Sequence, residues 1–254
     1  MKLNYKKLGE GKPLIILHGL FGTLDNWMTL GKSLAAHYTV YLVDQRNHGF
    51  SPHSDEFNYE VMAGDLKEFI EEHSLQKPSI IGHSMGGKTA MTFALRHPDS
   101  WDHLIVVDIA PKAYPIQHQH IIEALKALPV ETLQSRNEAD EMLSRDIVDF
   151  GQRQFLLKNL NRKKDGGFEW KMNLPVIEKH IEDIGHGMED PLATEKNVMF
   201  VRGENSHYIQ DSDYILINQL FPNARIETIK GAGHWVHAEK PEELLDVIRD
   251  FLKS

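Results

Sequence analysis

Cysteine is absent from the 254-residue chain, which excludes disulfide bonds and metal sites built from thiolates. Basic charge is also scarce, because 28 Lys and Arg are set against 37 Asp and Glu, for a formal net charge of −9. A nucleic-acid-binding domain needs a basic face, so we expect no nucleic acid partner. No run approaches the roughly 18 apolar residues of a membrane helix, and residues 1–13 lack the apolar segment of a signal peptide. We therefore expect a cytoplasmic protein without a membrane partner.

The chain does contain a series of short apolar runs, each followed by a turn signal and then by helical spacing. These runs cover residues 13–19, 38–44, 78–84, 103–111, 197–204 and 225–234. The middle runs are continuous, which is typical of strands buried on both faces of a parallel sheet, whereas the last alternates as expected nearer an edge. The alternation of strands and helices predicts an α/β fold with a mostly parallel central sheet flanked by helices.

This alternation stops between about residues 112 and 192. The segment has helical spacing and a turn signal at "KKDGGFEW" (163–170), but no continuous apolar run like the earlier ones. The strand pattern resumes at Asn197. We therefore predict a core formed by residues 1–111 and 193–254, with residues 112–192 inserted as a helical cap.

The stretch "IIGHSMGGKTAM" (80–91) places a serine between glycines at the junction of a predicted strand and a predicted helix. Its residues 82–86 fit the pattern G-x-S-x-G, in which a sharp turn lifts the serine hydroxyl clear of the backbone. The crowded turn requires Gly82 and Gly86 on either side. The pattern predicts that Ser84 is a nucleophile and that the backbone N–H of Met85 points toward developing negative charge.

A serine nucleophile needs a general base, because a free hydroxyl is a poor nucleophile. His234 lies in "IKGAGHWVHAEKPEEL", after the last predicted strand and before the last helix. Loops at the carboxyl ends of parallel strands converge on the site in such folds. His234 is thus the predicted base, and the nearby His237 is the alternative.

The histidine in turn needs a carboxylate that fixes its tautomer. In many proteins of this design the acid follows the strand before the histidine, but this chain has Ser206 at that place. Asp108 ends the preceding apolar run, "LIVVD", and keeps the chain order nucleophile, acid, base. We predict Asp108 as the acid, and three other carboxylates remain alternatives: Glu204, Asp211 and Asp213.

The loop "LHGLFGTLDNW" (17–27) follows an early strand and supplies the remaining part of the site. The backbone N–H of Leu20, or else that of Phe21, is predicted to join that of Met85 in an oxyanion hole. An apolar pocket needs aromatic lining, for which the candidates are Phe21, Phe150, Phe155, Phe168, Trp170 and Trp235. The predicted substrate-binding residues are Phe21, Phe155, Trp235 and Ser206.

With these residues in place, the chain resembles the α/β-hydrolase superfamily and, more narrowly, the YbfF-type esterases related to the abhydrolase-11 group. The motifs that carry the resemblance are "HGLFGTLDNW", "VDQRNHGFSPHS", "GHSMGGKTAM", "VVDIAP", "VRGENSHYI" and "GAGHWVHAEKP". The resemblance implies a triad of Ser84, Asp108 and His234, with Ser206 close to His234. It also implies a helical cap and activity on carboxylic esters and acyl-CoA thioesters.

We therefore predict a serine hydrolase that acts on a small-molecule ester or thioester and needs no cofactor or metal. Two other functions stay open. A carbon–carbon bond hydrolase uses the same triad, but such enzymes usually have the later acid that this chain lacks. A ligand receptor built on the same fold is an alternative of another class, because a fold does not fix a function. The sequence leaves the oligomeric state open.

Overall fold

The computed structural model describes residues 1–115, 118–188 and 192–253. Its strands are β1 (Tyr5–Leu8), β2 (Lys12–Leu17), β3 (Tyr38–Val43), β4 (Ser79–His83), β5 (Leu104–Val107), β6 (Leu160–Arg162), β7 (Phe168–Trp170), β8 (Val198–Gly203) and β9 (Arg225–Ile229). Seven of them form one sheet in the order β1-β3-β2-β4-β5-β8-β9, while β6 and β7 pair separately. Within that sheet β1 is antiparallel to β3, and the other neighbouring pairs are parallel. The predicted α/β class with a mostly parallel sheet is confirmed.

The described helices alternate with the strands along the chain. They are α1 (Met28–Leu34), α2 (Tyr59–Glu72), α3 (Met85–Arg96), α4 (Gln119–Ala127), α5 (Arg136–Leu143), α6 (Phe150–Leu157), α7 (Leu174–Lys179), α8 (Ile181–Gly185), α9 (Tyr214–Leu220), α10 (Val236–Glu239) and α11 (Pro241–Phe251). None of them is long and apolar enough to cross a membrane.

The two faces of the sheet explain why its central strands are continuous apolar runs. Successive side chains of a strand point to opposite faces. Ile15 therefore belongs to the apolar cluster that includes residues of α2, α3 and α9, and Ile16 to the one that includes residues of α1 and α11. Both residues are almost fully buried. Helices on both faces leave only the ends of the strands free to carry a site.

The helices α4 to α8 and the hairpin β6–β7 all lie between β5 and β8 in the chain. Their apolar residues form a separate cluster that also contains Phe21 and Met85 from the loops at the carboxyl ends of β2 and β4. The inserted segment therefore packs over that end of the sheet. The boundaries of core and cap at residues 112 and 192 stay a prediction.

Three local features differ from the sequence-based expectation. β1 was not predicted, because Lys6 and Lys7 interrupt any apolar run and the strand is largely exposed at a sheet edge. The turn expected at 163–170 connects a short hairpin. The run 103–111 contains a strand only over Leu104–Val107, because Asp108 adopts a positive φ of 52° and turns the chain.

Candidate active site

Ser84 occupies the turn between β4 and α3 with φ 52° and ψ −119°, a conformation that is strained for a residue with a side chain. The flanking glycines make this turn possible. A Cβ on Gly82 would lie 2.3 Å from the carbonyl oxygen of Gly86, and a Cβ on Gly86 would lie 2.6 Å from that of Leu17. The G-x-S-x-G spacing therefore follows from close backbone contacts on both sides of the serine.

The imidazole of His234 connects the hydroxyl of Ser84 with the carboxylate of Asp108. Nε2 of His234 lies 3.2 Å from Oγ of Ser84, and Nδ1 lies 2.8 Å from Oδ2 of Asp108. A carboxylate only accepts hydrogen bonds, so Nδ1 carries the proton and Nε2 is free to accept the proton of the hydroxyl. The structure thus brings the three residues together in a hydrogen-bonded chain.

Asp108 is fully buried directly after β5. Its Oδ1 accepts a hydrogen bond from the backbone N–H of Gly203 at 2.9 Å. Its Oδ2 accepts hydrogen bonds from the hydroxyl of Ser206 and from Nδ1–H of His234. These donors compensate a negative charge that burial alone would disfavour. Ser206, which follows β8, holds the acid that the neighbouring strand β5 supplies.

The alternative acids have other partners. Glu204 accepts a hydrogen bond from the backbone N–H of Gly231. Asp211 forms an exposed ion pair with Arg202, and Asp213 pairs with Lys112. Of the candidate carboxylates, Asp108 is the one that the structure places on His234.

The alternative base, His237, lies behind the site. Its ring stacks on that of Trp27 with the centroids 4.7 Å apart and is 5% exposed. Burial lowers the pKa of His237 to about 3, so the ring stays neutral. The geometry therefore favours His234 over His237 as the proton acceptor of Ser84.

Two further side chains fix the position of the His234 ring. His83 donates the proton on its Nε2 to the backbone carbonyl of His234 at 2.9 Å. The ring of Tyr208 stacks on the imidazole of His234, with the centroids 3.8 Å apart and the planes at 17° to each other. Neither role is predictable from the local sequence. His83 lies inside the serine motif, and Tyr208 follows Ser206 by two positions without a motif of its own.

The two predicted donors of an oxyanion hole are distinguished by a hydrogen bond. The backbone N–H of Phe21 donates to Nε2 of His48 at 3.2 Å and is already used. In the described part of the chain, no protein group accepts a hydrogen bond from the backbone N–H of Leu20 or Met85. Met85 also begins α3, whose N-terminal dipole favours negative charge. The pair Leu20 and Met85 therefore fits the hole better than a pair with Phe21.

Buried histidines hold the loop that carries Leu20. Nδ1 of His18 donates to the carbonyl of Gly19 at 2.8 Å, and Nε2 of His18 accepts from the backbone N–H of Gln45 at 3.0 Å. Burial lowers the pKa of His18 to about 4 and that of His48 to about 3. Both rings accept through one nitrogen, which requires them to be neutral.

Two cavities meet at Ser84. The larger encloses about 680 Å³ including its open mouth, and its walls contain Phe21, Phe155, Trp235 and His234. The smaller encloses about 440 Å³ including its mouth, and its walls contain Met85 and Lys88. Besides Ser84, three residues line both cavities: Leu20, His118 and Tyr208.

The cavity walls separate the predicted substrate-binding residues. Phe21, Phe155 and Trp235 line the larger cavity, where the rings of Phe155 and Trp235 lie 5.8 Å apart. Ser206 lines neither cavity in the described part of the chain and instead bonds to Asp108. Its predicted contact with the substrate is therefore replaced by a contact with the acid.

The remaining aromatic candidates lie away from the cavities. Phe150 is 63% exposed at the start of α6. Phe168 is buried among the apolar residues of the inserted segment, and Trp170 packs against them. The helices of the inserted segment need aromatic residues for their own core. Helical spacing alone does not distinguish such core residues from residues that line a pocket.

The fold and this geometry define a class of α/β enzymes in which a strained turn after a central strand presents a serine to a histidine–aspartate pair. The family model for the alpha/beta hydrolase fold matches residues 12–241, and the chain belongs to that family. The family resemblance and the predicted assignment to hydrolase enzymes are confirmed. Within the described residues, no group of three or more His, Asp or Glu is arranged to hold a metal ion.

Similar proteins cover nearly the whole chain. The chain is 40% identical to the sn-1-specific diacylglycerol lipase ABHD11 of Xenopus laevis over 96% of this chain and 80% of the relative. It is 37% identical to esterase YbfF of Escherichia coli (strain K12) over the full length of both. The solved structure of a marine microorganism esterase matches with a TM-score of 0.96 and 46% identity, over 98% of this chain and 99% of that one.

Proposed function

We propose that the chain is a serine hydrolase that cleaves carboxylic esters or acyl-CoA thioesters through an acyl-enzyme on Ser84. The observation that carries the proposal is the hydrogen-bonded chain from Oγ of Ser84 through His234 to Asp108. The relatives named as an esterase and as a diacylglycerol lipase support ester hydrolysis over other chemistry.

In the first half of the reaction, Oγ of Ser84 attacks the ester carbonyl while Nε2 of His234 takes the hydroxyl proton. The new bond between oxygen and carbon forms as the carbonyl π electrons move to the oxygen. The backbone N–H groups of Leu20 and Met85 stabilise this oxyanion. His234 then gives its proton to the leaving alcohol or thiol, and the acyl-enzyme remains.

In the second half, water replaces the alcohol. His234 accepts a proton from water as the hydroxide attacks the acyl carbon. The bond between that carbon and Oγ then breaks, the carboxylic acid leaves, and the proton on His234 restores the hydroxyl of Ser84. Asp108 orients the ring throughout and stabilises the imidazolium that forms twice in each cycle. Losing the nucleophile or the base is expected to reduce turnover by a factor on the order of 10⁶.

A covalent label tests the proposal directly. A fluorophosphonate probe should label the wild-type protein, and Ser84→Ala should abolish labelling. The exposed Ser212 offers a matched control, because Ser212→Ala should leave labelling intact. Hydrolysis rates over a chain-length series of p-nitrophenyl and CoA esters then define the acyl preference.

The same measurements separate the alternatives. A ligand receptor would show neither labelling of Ser84 nor turnover of any ester. A carbon–carbon bond hydrolase would be labelled but would cleave a vinylogous diketone faster than the esters. The cytoplasmic location, the absence of a cofactor and the small-molecule nature of the substrate stay predictions of the sequence.

A further inference from the structure

A lysine lies buried beside the nucleophile. Lys88 follows Ser84 by one helical turn on α3, is 1% exposed and lines the smaller cavity. Its Nζ donates to the backbone carbonyl of His186 at 2.5 Å and lies 5.4 Å from the ring centroid of Tyr59 and 4.9 Å from that of Tyr114. The proposed mechanism does not use this amine.

Within the part of the chain that the structure describes, the ammonium group of Lys88 has no acidic partner. Among residues 1–115, 118–188 and 192–253, no carboxylate lies within ion-pair distance of Lys88. A buried charge is normally paired, because loss of hydration costs several kcal/mol. The ring faces and one carbonyl compensate it only in part, and desolvation lowers the pKa of Lys88 to about 7.

The surroundings of the amine would favour an anion over a cation. The titratable groups around it are Tyr59 on α2, Tyr114 after β5, His118 before α4 and His186 after α8. Burial raises the pKa of both phenols and lowers the pKa of His118 to about 4, so these three groups are neutral near pH 7.

Beyond them, Lys112 faces the ring of Tyr114 at 5.3 Å and is paired with Asp213. Its charge is therefore already compensated, and among the described residues that line this cavity Lys88 is the cation available to a ligand.

The two cavities differ in which part of an ester they can hold. His234 must protonate the leaving oxygen, so the leaving group lies on the side of the larger cavity, which His234 lines. The acyl chain then extends into the smaller cavity, which Met85 and Lys88 line. Since residues one turn apart on a helix are about 6 Å apart, an acyl chain of only a few carbons spans the distance.

We propose that Lys88 is a specificity determinant that binds the terminal carboxylate of a short acyl chain, so that monoesters of short dicarboxylic acids are preferred substrates. This inference rests on the proposed esterase function and names a substrate class for it. The carboxylate would accept charge-assisted hydrogen bonds from Nζ and pair with the buried ammonium. No covalent step at Lys88 is involved.

A pair of esters with equal shape tests the proposal. Monoethyl succinate carries a carboxylate where ethyl 4-methylpentanoate carries an isopropyl group. The wild-type protein should prefer the succinate ester in kcat/KM at pH 6.5. Lys88→Met, which keeps the length of the side chain and removes its charge, should lower the ratio of the two kcat/KM values by roughly 10- to 100-fold, the scale of a hydrogen bond to a charged group.

The pH dependence of the same ratio supplies a readout that a purely structural lysine would not change. A pH effect on the chemical step that both esters share cancels in the ratio. Because the pKa of Lys88 is lowered to about 7 by burial, the ratio should fall between pH 6 and pH 8.5 as the ammonium loses its proton. The ratio measured with Lys88→Met should be independent of pH over that range.

Three results would overturn the proposal. One is an equal ratio in the wild type and Lys88→Met. Another is a Lys88-dependent preference for carboxymethyl butanoate, which carries the carboxylate on the leaving group. The third result applies if the wild type cleaves no ester, which by itself refutes the proposed function. Calorimetry on the Ser84→Ala variant would then show that monoethyl succinate binds no more tightly than it does to the double variant that also carries Lys88→Met. Binding that depends on Lys88 would support the carboxylate site alone.

Discussion

Asp108 and His234 are 126 positions apart in the chain, yet Oδ2 of the carboxylate lies 2.8 Å from Nδ1 of the ring. Their strands, β5 and β9, flank β8 in the sheet. Ser206, which follows β8, donates its hydroxyl to the same carboxylate oxygen. The acid therefore reaches the histidine across one intervening strand, and a serine from that strand holds it in place.

We expect Asp108→Asn to reduce kcat by about 10⁴-fold, because an amide in place of the carboxylate favours the wrong tautomer of His234. The measurement is steady-state hydrolysis of a p-nitrophenyl ester, with circular dichroism to confirm folding. Asp211→Asn is the control, since Asp211 pairs with Arg202 at the surface. A larger loss with Asp211→Asn than with Asp108→Asn would refute the assignment of the acid.

Gly82→Ala should lower the free energy of unfolding by about 1–3 kcal/mol, because a Cβ there would lie 2.3 Å from the backbone oxygen of Gly86. Gly64→Ala is the matched change in an open position. Gly64 is exposed within α2 and a Cβ there meets nothing within 4 Å. That variant should gain about 0.5–1 kcal/mol from helix propensity. Urea denaturation measures both, and equal effects would contradict the steric account.

The sequence was sufficient to predict the features that depend on local pattern. The continuous apolar runs predicted the strands that are buried on both faces, and the G-x-S-x-G spacing predicted the turn at Ser84. The alternating run 225–234 indicated an edge, and β9 is at the edge of the sheet. Each of these follows from steric or burial rules that act over a few residues.

Features that depend on contacts between distant segments could not be predicted in the same way. The choice of Asp108 over the three alternative carboxylates requires knowing which carboxylate packs beside His234, and spacing along the chain does not contain that distance. The stacking of Tyr208 on His234 and the burial of Lys88 away from every described carboxylate likewise arise only when the strands, α3 and the inserted segment are assembled. Tertiary packing likewise decides which aromatic residues of the insertion line a cavity and which belong to its core.

His83 is expected to act as a positioning residue for the base. His83→Phe keeps a ring at the site but removes the hydrogen bond to the carbonyl of His234. A neutral hydrogen bond is worth about 1 kcal/mol, so kcat should fall roughly fivefold while KM changes little. Kinetics on one ester with both parameters resolved provides the test, and His37→Phe at an exposed position is the control. A change in KM alone would contradict a positioning role.

The free energy of unfolding should fall as the pH decreases from 6.5 toward 4. Burial lowers the pKa of His18 to about 4, that of His48 to about 3, and that of His83 well below the ordinary value of 6.5. The unfolded chain binds protons on these rings in that range and the folded chain does not, so acid favours unfolding. Urea titrations at pH 7.5, 6 and 5 measure the slope, and constant stability over these values would refute the prediction.

His237→Phe should flatten this pH dependence by about one proton, or about 1.4 kcal/mol per pH unit where the ring titrates in the unfolded chain. Burial lowers the pKa of His237 to about 3, and within the described part of the chain its buried Nδ1 has no hydrogen-bond partner. Phenylalanine preserves the stacking on Trp27, where the planes are 13° apart. The variant should therefore match or exceed the wild type in stability at pH 5, as measured by urea titration at two pH values. An unchanged slope would show that the ring of His237 is already protonated in the folded protein.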